Sequence, residues 1–125
     1  NHVSLPTSGG NITINSTGNT SYGINISSGV ILAHGAIAIT TTGSGQHTLR
    51  MIGTGARIQS ASNITINGTQ GTWGLTMYNN SFIQSTGGNI SITASGTSGG
   101  FYTESSGGIF LFSSYCLFHS ARAQL

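Results

Sequence analysis

Short stretches in which single apolar residues alternate with polar ones recur along the whole chain, with glycines between them. Residues 9–18 read GGNITINSTG, and closely similar stretches return at residues 62–68 and 87–93. Alternation with a period of two is typical of a half-buried β-strand, and glycine at its ends indicates turns. A strand this short buries too little apolar surface to fold alone, so several copies must pack together.

Three families of such strands share one period of 25 to 27 residues, and 26 residues separate Ile64 from Ile90. A fixed period of this size is the signature of a repeat architecture. The leading apolar residues are predicted to form a core ladder of three columns. The columns are Ile12, Ile37, Ile64, Ile90 and Cys116; Ile24, Leu49, Leu75 and Phe101; and Ile31, Ile58, Ile83 and Ile109.

This pattern predicts an all-β fold, a right-handed parallel β-helix (β-solenoid) with three strands per coil and a triangular cross-section. Residues 1–125 then form a single domain of about four and a half coils. Parallel coils stack about 4.8 Å apart, and stacked copies bury a continuous apolar column. A long turn of about eight residues is expected between the first and second strands, as in NSTGNTSY. An antiparallel sandwich would not keep this register, and the hexapeptide repeat of a left-handed β-helix is absent.

In each strand the residue two positions after the leading one is also expected to face inward. This places Ser60 and Ser85 in the interior of the third family and Thr103 in the interior of the second.

Charged residues make up only 3% of the chain, namely Arg50, Arg57, Arg122 and Glu104. A formal net charge of +2 forms no basic patch, so no nucleic-acid partner is expected. The chain has no run of about 18 apolar residues, so no membrane span is expected. Cys116 is the single cysteine, which rules out an internal disulfide and favours a small buried side chain. The composition suits an extracellular, secreted or cell-surface protein, either a mature form or a piece of something longer.

The candidate chemistry is sparse, and we expect neither enzyme activity nor a cofactor. Glu104 is the only carboxylate, which excludes acid–base catalysis by a carboxylate pair and an all-carboxylate Ca²⁺ site. The four histidines, His2, His34, His47 and His119, fall on different faces or corners of the predicted coil. They are therefore expected to be solvated or corner residues without a metal.

Two polar patterns follow from the same register. Asn11, Asn63 and Asn89 share one position and are predicted to stack as an amide ladder, in preference to carrying glycans on their N-x-[S/T] sites. The outer side of the first strand family is a flat array of small polar side chains. It reads Thr13, Ala38, Thr65 and Ser91, flanked by Asn15, Thr40, Asn67 and Thr93.

Aromatic residues supply a candidate contact surface. Tyr78 and Tyr102 are predicted to point outward from adjacent coils, and Tyr22 and Trp73 lie at the end of the long turn. Trp73, Tyr78 and Tyr102 are the candidate residues for contact with a sugar or a partner surface. Packing of the rings against the turn is the alternative interpretation.

The motifs at residues 9–15, 62–68 and 87–95, with IQSTGGN at residues 83–89, resemble the repeat region of filamentous-haemagglutinin-like proteins of two-partner secretion and related autotransporter adhesins. The resemblance implies a long extracellular β-helical shaft for adhesion or filament formation, with no catalytic residues. The expected partners are other copies, end to end, or flanking coils of a longer chain, and a host or cell-surface glycan or protein. The alternative function is an ice- or carbohydrate-binding module that uses the flat Thr/Asn face.

Overall fold

The structure, a computed structural model, describes residues 8–18, 21–104, 108–111 and 116–122, with side chains as far as residue 103. This part of the chain contains strands and no helix, so no described helix could cross a membrane. The strands are β1 (Ile12–Gly18), β2 (Tyr22–Ser27), β3 (Val30–Ala33), β4 (Ile37–Gly43), β5 (His47–Ile52), β6 (Arg57–Ser60), β7 (Ile64–Tyr78), β8 (Phe82–Ser85), β9 (Ile90–Glu104), β10 (Gly108–Leu111) and β11 (Cys116–Arg122).

Every ladder between the described strands is parallel and joins one coil to the next. The first family runs through β1, β4, the first halves of β7 and β9, and β11. The second runs through β2, β5 and the second halves of β7 and β9. The third, β3, β6, β8 and β10, forms a separate sheet. The fold is thus the predicted parallel β-solenoid, with about 26 residues per coil.

The core is made by apolar columns that follow this register. Ile37 pairs with Ile64, which pairs with Ile90, and all three are buried. Leu49 and Leu75 form a second buried column, and Ile58 and Ile83 a third. Among the described strands, those of the first coil have a neighbouring coil on one side only. Ile12, Ile24 and Ile31 of this coil are therefore only partly buried.

The second strand family ends at residues 99–104 of β9, which pair with β7. Phe101 is half-buried there, and Thr103, opposite Met77, is exposed. Thr103 thus has the inward register position of the buried Met77, as predicted, but it is exposed because among the described residues no further strand covers it.

The junction between the first and second strand families differs from the predicted eight-residue turn. The polar residues after the apolar pair continue the first strand, with Asn15 opposite Thr40 and Ser16 opposite Thr41. In β7 and β9 no turn separates the two families, and Gln70 bends β7 with a positive φ of 79° where the register shifts. Pairing with the neighbouring coil supplies the hydrogen bonds of these backbones, and local sequence preference does not report such pairing.

At this junction the two halves of a coil approach each other closely. The hydroxyl of Ser16 donates to Gly23 O at 2.7 Å, and that of Thr41 donates to Thr48 O at 3.2 Å. A Cβ on Gly18 would lie 2.7 Å from the Cα of Gly23. Glycine is therefore required here for close approach of two backbones.

Serines close the corner between the third and first families. Ser60 and Ser85, one above the other in the interior, are fully buried. The Ser60 hydroxyl donates to Gly35 O at 2.7 Å and accepts from the Ser62 N–H at 2.8 Å. These bonds satisfy half-buried corner backbone groups.

The asparagines at the same corner do not form the predicted ladder of side-chain amides. Asn11 Oδ1 accepts from the Ala36 N–H at 2.8 Å, and Asn63 Oδ1 accepts from the Asn89 N–H at 2.9 Å. Each side chain thus accepts a hydrogen bond from the backbone of the next coil. A side-chain amide ladder does occur in the third family, where Gln59 Nε2 donates to Gln84 Oε1 at 2.6 Å.

Candidate functional site

The outer side of the second strand family carries most of the described aromatic side chains. Tyr22, His47 and Trp73 occupy one register position in three successive coils. Arg50, Thr76 and Tyr102 occupy a second position, three residues further along each strand. We use the name aromatic surface for the six residues Tyr22, His47, Arg50, Trp73, Tyr78 and Tyr102.

The rings of the aromatic surface contact one another from coil to coil. Tyr22 stacks on His47 with centroids 5.6 Å apart, and His47 meets Tyr78 edge to face at 6.4 Å. Tyr102 lies 5.8 Å from Tyr78 and 5.2 Å from Trp73. Offset and tilted contacts in this distance range are the favourable arrangements of aromatic pairs. The rings therefore form one connected surface.

Arg50 lies at the centre of this surface. Its guanidinium carbon is 5.0 Å from the Tyr22 ring centroid and 5.6 Å from that of Tyr78. A cation in this range over an aromatic face is attracted by the ring quadrupole. Arg50 is half-buried, and contacts with the two rings hold its guanidinium within the aromatic surface.

Two buried polar atoms in this part of the second strand family have no hydrogen-bond partner. Thr76 is 0% exposed, and its hydroxyl is buried without a partner between Arg50 and Tyr102 in the register. The Nδ1 atom of His47 is also buried without a partner. Burial, and to a smaller extent the charge of Arg50, lower the pKa of His47 below its usual value of 6.5. The imidazole is therefore neutral at pH 7.

The structure brings together the aromatic residues singled out from the sequence. Trp73 and Tyr78 each contact Tyr102, which is 37% exposed, whereas the other two are half-buried. Sequence reasoning missed His47, which lies in β5 between the rings of Tyr22 and Tyr78 and is not a solvated corner residue. The signal that could have revealed it is its position 25 residues after Tyr22 and 26 before Trp73.

The remaining predicted site residues lie elsewhere or outside the described side chains. His34 is exposed at a corner, as expected. The backbone of Cys116 pairs with Ile90, whereas the side chains of Cys116, Ile109, His119 and Glu104 lie outside the described part, as does His2. Among the described residues no group of three His, Cys, Asp or Glu side chains could hold a metal ion.

The outer side of the first strand family is flat and polar. Thr13, Ala38, Thr65 and Ser91 align in one column, and Asn15, Thr40, Asn67 and Thr93 align in the next. Thr42 Oγ1 lies 3.5 Å from Thr17 Oγ1 in a third column. Much of this face consists of small hydroxyl side chains that repeat with the spacing of the coils.

Comparison with known proteins finds no match to a family model, to a curated protein or to a solved structure.

Proposed function

We propose that this chain is a non-catalytic structural and adhesive part of an extracellular fibre. It acts either as a segment of a large surface adhesin or as a subunit that stacks end to end into a filament. The observation that carries the proposal is the in-register parallel ladder, in which each coil repeats the inward side chains of the one before. A further coil can extend such a stack without a change of geometry, because each repeat contacts only its neighbours.

The outermost strands of the described solenoid are suited to such an extension. Within the described ranges, β2 is paired along one edge by β5, and the second half of β9 is paired along one edge by β7. A strand edge with unpaired N–H and C=O groups is a template for another strand. At the β9 end, Phe101 and Thr103 occupy the positions that another coil would cover.

Composition supports the same proposal. The chain has one carboxylate and no lysine, and charged side chains are the usual protection of strand edges against pairing. The resemblance of its repeats to filamentous-haemagglutinin-like shafts agrees with an extracellular fibre.

Assembly of the purified chain tests the proposal by sedimentation velocity over a range of concentrations, with negative-stain electron microscopy of the same samples. We expect particles that lengthen along one axis as the concentration rises. Thr103→Lys should block growth, because a further coil would bury the charge in the core. Thr93→Lys is the matched control, since Thr93 is exposed on a side of the solenoid and not at its end.

Circular dichroism of both variants shows whether each is folded. A folded wild-type chain that remains monomeric at every concentration would overturn the proposal, because its ends would then not accept another coil. Equal assembly of both lysine variants would show that contact occurs through the sides, which would also overturn it.

The flat polar face of the first strand family favours a second candidate function, binding to ice. The observation in its favour is the alignment of Thr13, Thr65 and Ser91, with Thr40 and Thr93 in the next column. Thermal hysteresis of the wild-type chain tests it, with Thr65→Lys as the blocking variant. Absence of hysteresis at millimolar concentration would dispose of this candidate.

A further inference from the structure

We propose that the aromatic surface is a binding site for an acidic polysaccharide, with Arg50 bound to a uronate carboxylate and the rings of Trp73 and Tyr102 packed against sugar faces. The inference rests on the adhesive part of the proposed function and does not require filament formation. It names the class of ligand and the face of the solenoid that binds it.

Charge complementarity selects an anionic ligand. The described side chains include two guanidinium groups, Arg50 and Arg57, and no carboxylate, and the formal net charge of the whole chain is +2. Arg50 is the one cation on the aromatic surface, because His47 is neutral at pH 7. A guanidinium binds a carboxylate through two parallel N–H···O bonds. A neutral sugar has no equivalent charged acceptor.

The rings select a sugar over a simple anion. Tyr102 is one of only two large apolar side chains that the described part of the chain exposes strongly. It contacts Trp73 and Tyr78, so the surface presents connected rings beside the cation. The apolar face of a pyranose ring packs on such surfaces, while its hydroxyls remain free for hydrogen bonds.

The length of the surface selects a chain of sugars over a single one. Its residues come from four successive coils, from Tyr22 in the first to Tyr102 in the fourth. Three steps of the strand spacing place these ends roughly 14 Å apart along the solenoid axis. A linear polysaccharide that lies along the axis would contact the rings and the guanidinium together.

Two unpartnered polar atoms at the aromatic surface agree with a surface that gains hydrogen bonds on binding. Thr76 Oγ1 and His47 Nδ1 are buried without partners in the free protein. Such atoms cost stability unless they are paired. A small shift of the Tyr102 or Tyr78 ring on binding would open them to ligand hydroxyls.

Isothermal titration with a hyaluronan octasaccharide tests the proposal, since this polymer alternates a uronate with a neutral sugar. A chitin oligosaccharide of similar length is the neutral comparison. We expect the chain to bind hyaluronan, and to bind the neutral oligosaccharide at least tenfold more weakly. Arg50→Gln should weaken hyaluronan binding about tenfold or more, which corresponds to the loss of one charge-assisted contact. Tyr102→Ala should weaken binding to both sugars.

Arg57→Gln is the matched control, because Arg57 also lies over a ring, that of Phe82, but on the third strand family. It should bind hyaluronan as the wild type does. Equal losses for Arg50→Gln and Arg57→Gln would reveal unspecific attraction of a polyanion and overturn the proposal. Absence of hyaluronan binding by the folded wild-type chain would also overturn it, whatever the assembly experiment shows. Titrations at protein concentrations below the onset of assembly keep binding separate from assembly.

Discussion

Two buried threonines in the second strand family allow one chemical change to be made with opposite expected effects. Thr48 and Thr76 are both buried in β-strands, at 1% and 0% exposure. The Thr48 hydroxyl accepts from the Gly71 N–H at 3.1 Å and donates to Thr69 O at 3.4 Å. The Thr76 hydroxyl has no partner. Replacement of each by valine keeps the shape and the β-branched side chain while removing the hydroxyl.

The magnitudes follow from the partners that remain. Thr48→Val leaves the buried Gly71 N–H without its acceptor, and an orphaned buried donor costs about 1–3 kcal/mol. We therefore expect a loss of about 2 kcal/mol in the free energy of unfolding. Thr76→Val removes a hydroxyl that is buried without compensation and replaces it with a methyl group, which we expect to stabilise the chain by about 1 kcal/mol.

Urea unfolding followed by far-ultraviolet circular dichroism measures both changes. For a small protein the Thr48→Val change corresponds to a fall of roughly 1 M in the urea midpoint, and the Thr76→Val change to a smaller rise. Trp73 is the single tryptophan, and its fluorescence gives a second probe of the same transition.

Changes of equal sign in the two variants would refute the reasoning. In particular, a Thr76→Val variant that loses as much stability as Thr48→Val would mean that the Thr76 hydroxyl has a partner in solution. A change in the steepness of the transition would instead indicate that the coils no longer unfold together.

Three further perturbations test other parts of the solenoid. Gly74→Ala should lower the free energy of unfolding by about 3 kcal/mol, because the added Cβ would lie 2.5 Å from a backbone atom of the next coil. Gly10 has open space around it, so Gly10→Ala should change the free energy of unfolding, measured by heat or urea, by less than about 0.5 kcal/mol. Ala36→Asn should add about 0.5–1 kcal/mol by supplying an acceptor for the Asn63 N–H, and an unchanged urea midpoint would count against the corner hydrogen bonds. The pKa of His47 lies below 6.5 in the folded chain, so the folded protein binds a proton less readily than the unfolded protein. The contribution of His47 to the free energy of unfolding is therefore fully present above about pH 6.5, and it is lost as the pH falls through that value toward the folded pKa. His47→Gln should remove that part of the fall between pH 7.5 and about pH 5 in urea titrations, and an unaltered pH dependence would contradict the burial of the imidazole.

The sequence was most informative where the same residue type returns in every coil. The pairing of Ile64 with Ile90 and of Leu49 with Leu75 follows the period read from the chain. It was less informative at the junction of the first two strand families, where Gln70 bends a continuous strand in place of a turn. Polar and glycine-rich residues lack the alternation that marks a strand, so their pairing with neighbouring coils was not visible in the pattern.

The candidate site was predicted in part for the same reason. Trp73, Tyr78 and Tyr102 stood out as aromatic residues near one face, and the structure joins them. His47 and Arg50 became part of the surface only when the coils were stacked, because their ring and cation contacts cross from one coil to the next.

The sequence by itself determined the period, the parallel stacking and the apolar columns, because one repeated hydrophobic pattern admits one register in which every apolar residue meets another. The tertiary structure decided how each coil turns at its glycine-rich junction and which polar groups find partners. It also decided which aromatic side chains meet across coils. Those outcomes depend on distances of a few ångströms between residues about 26 positions apart, and no local pattern of the chain records them.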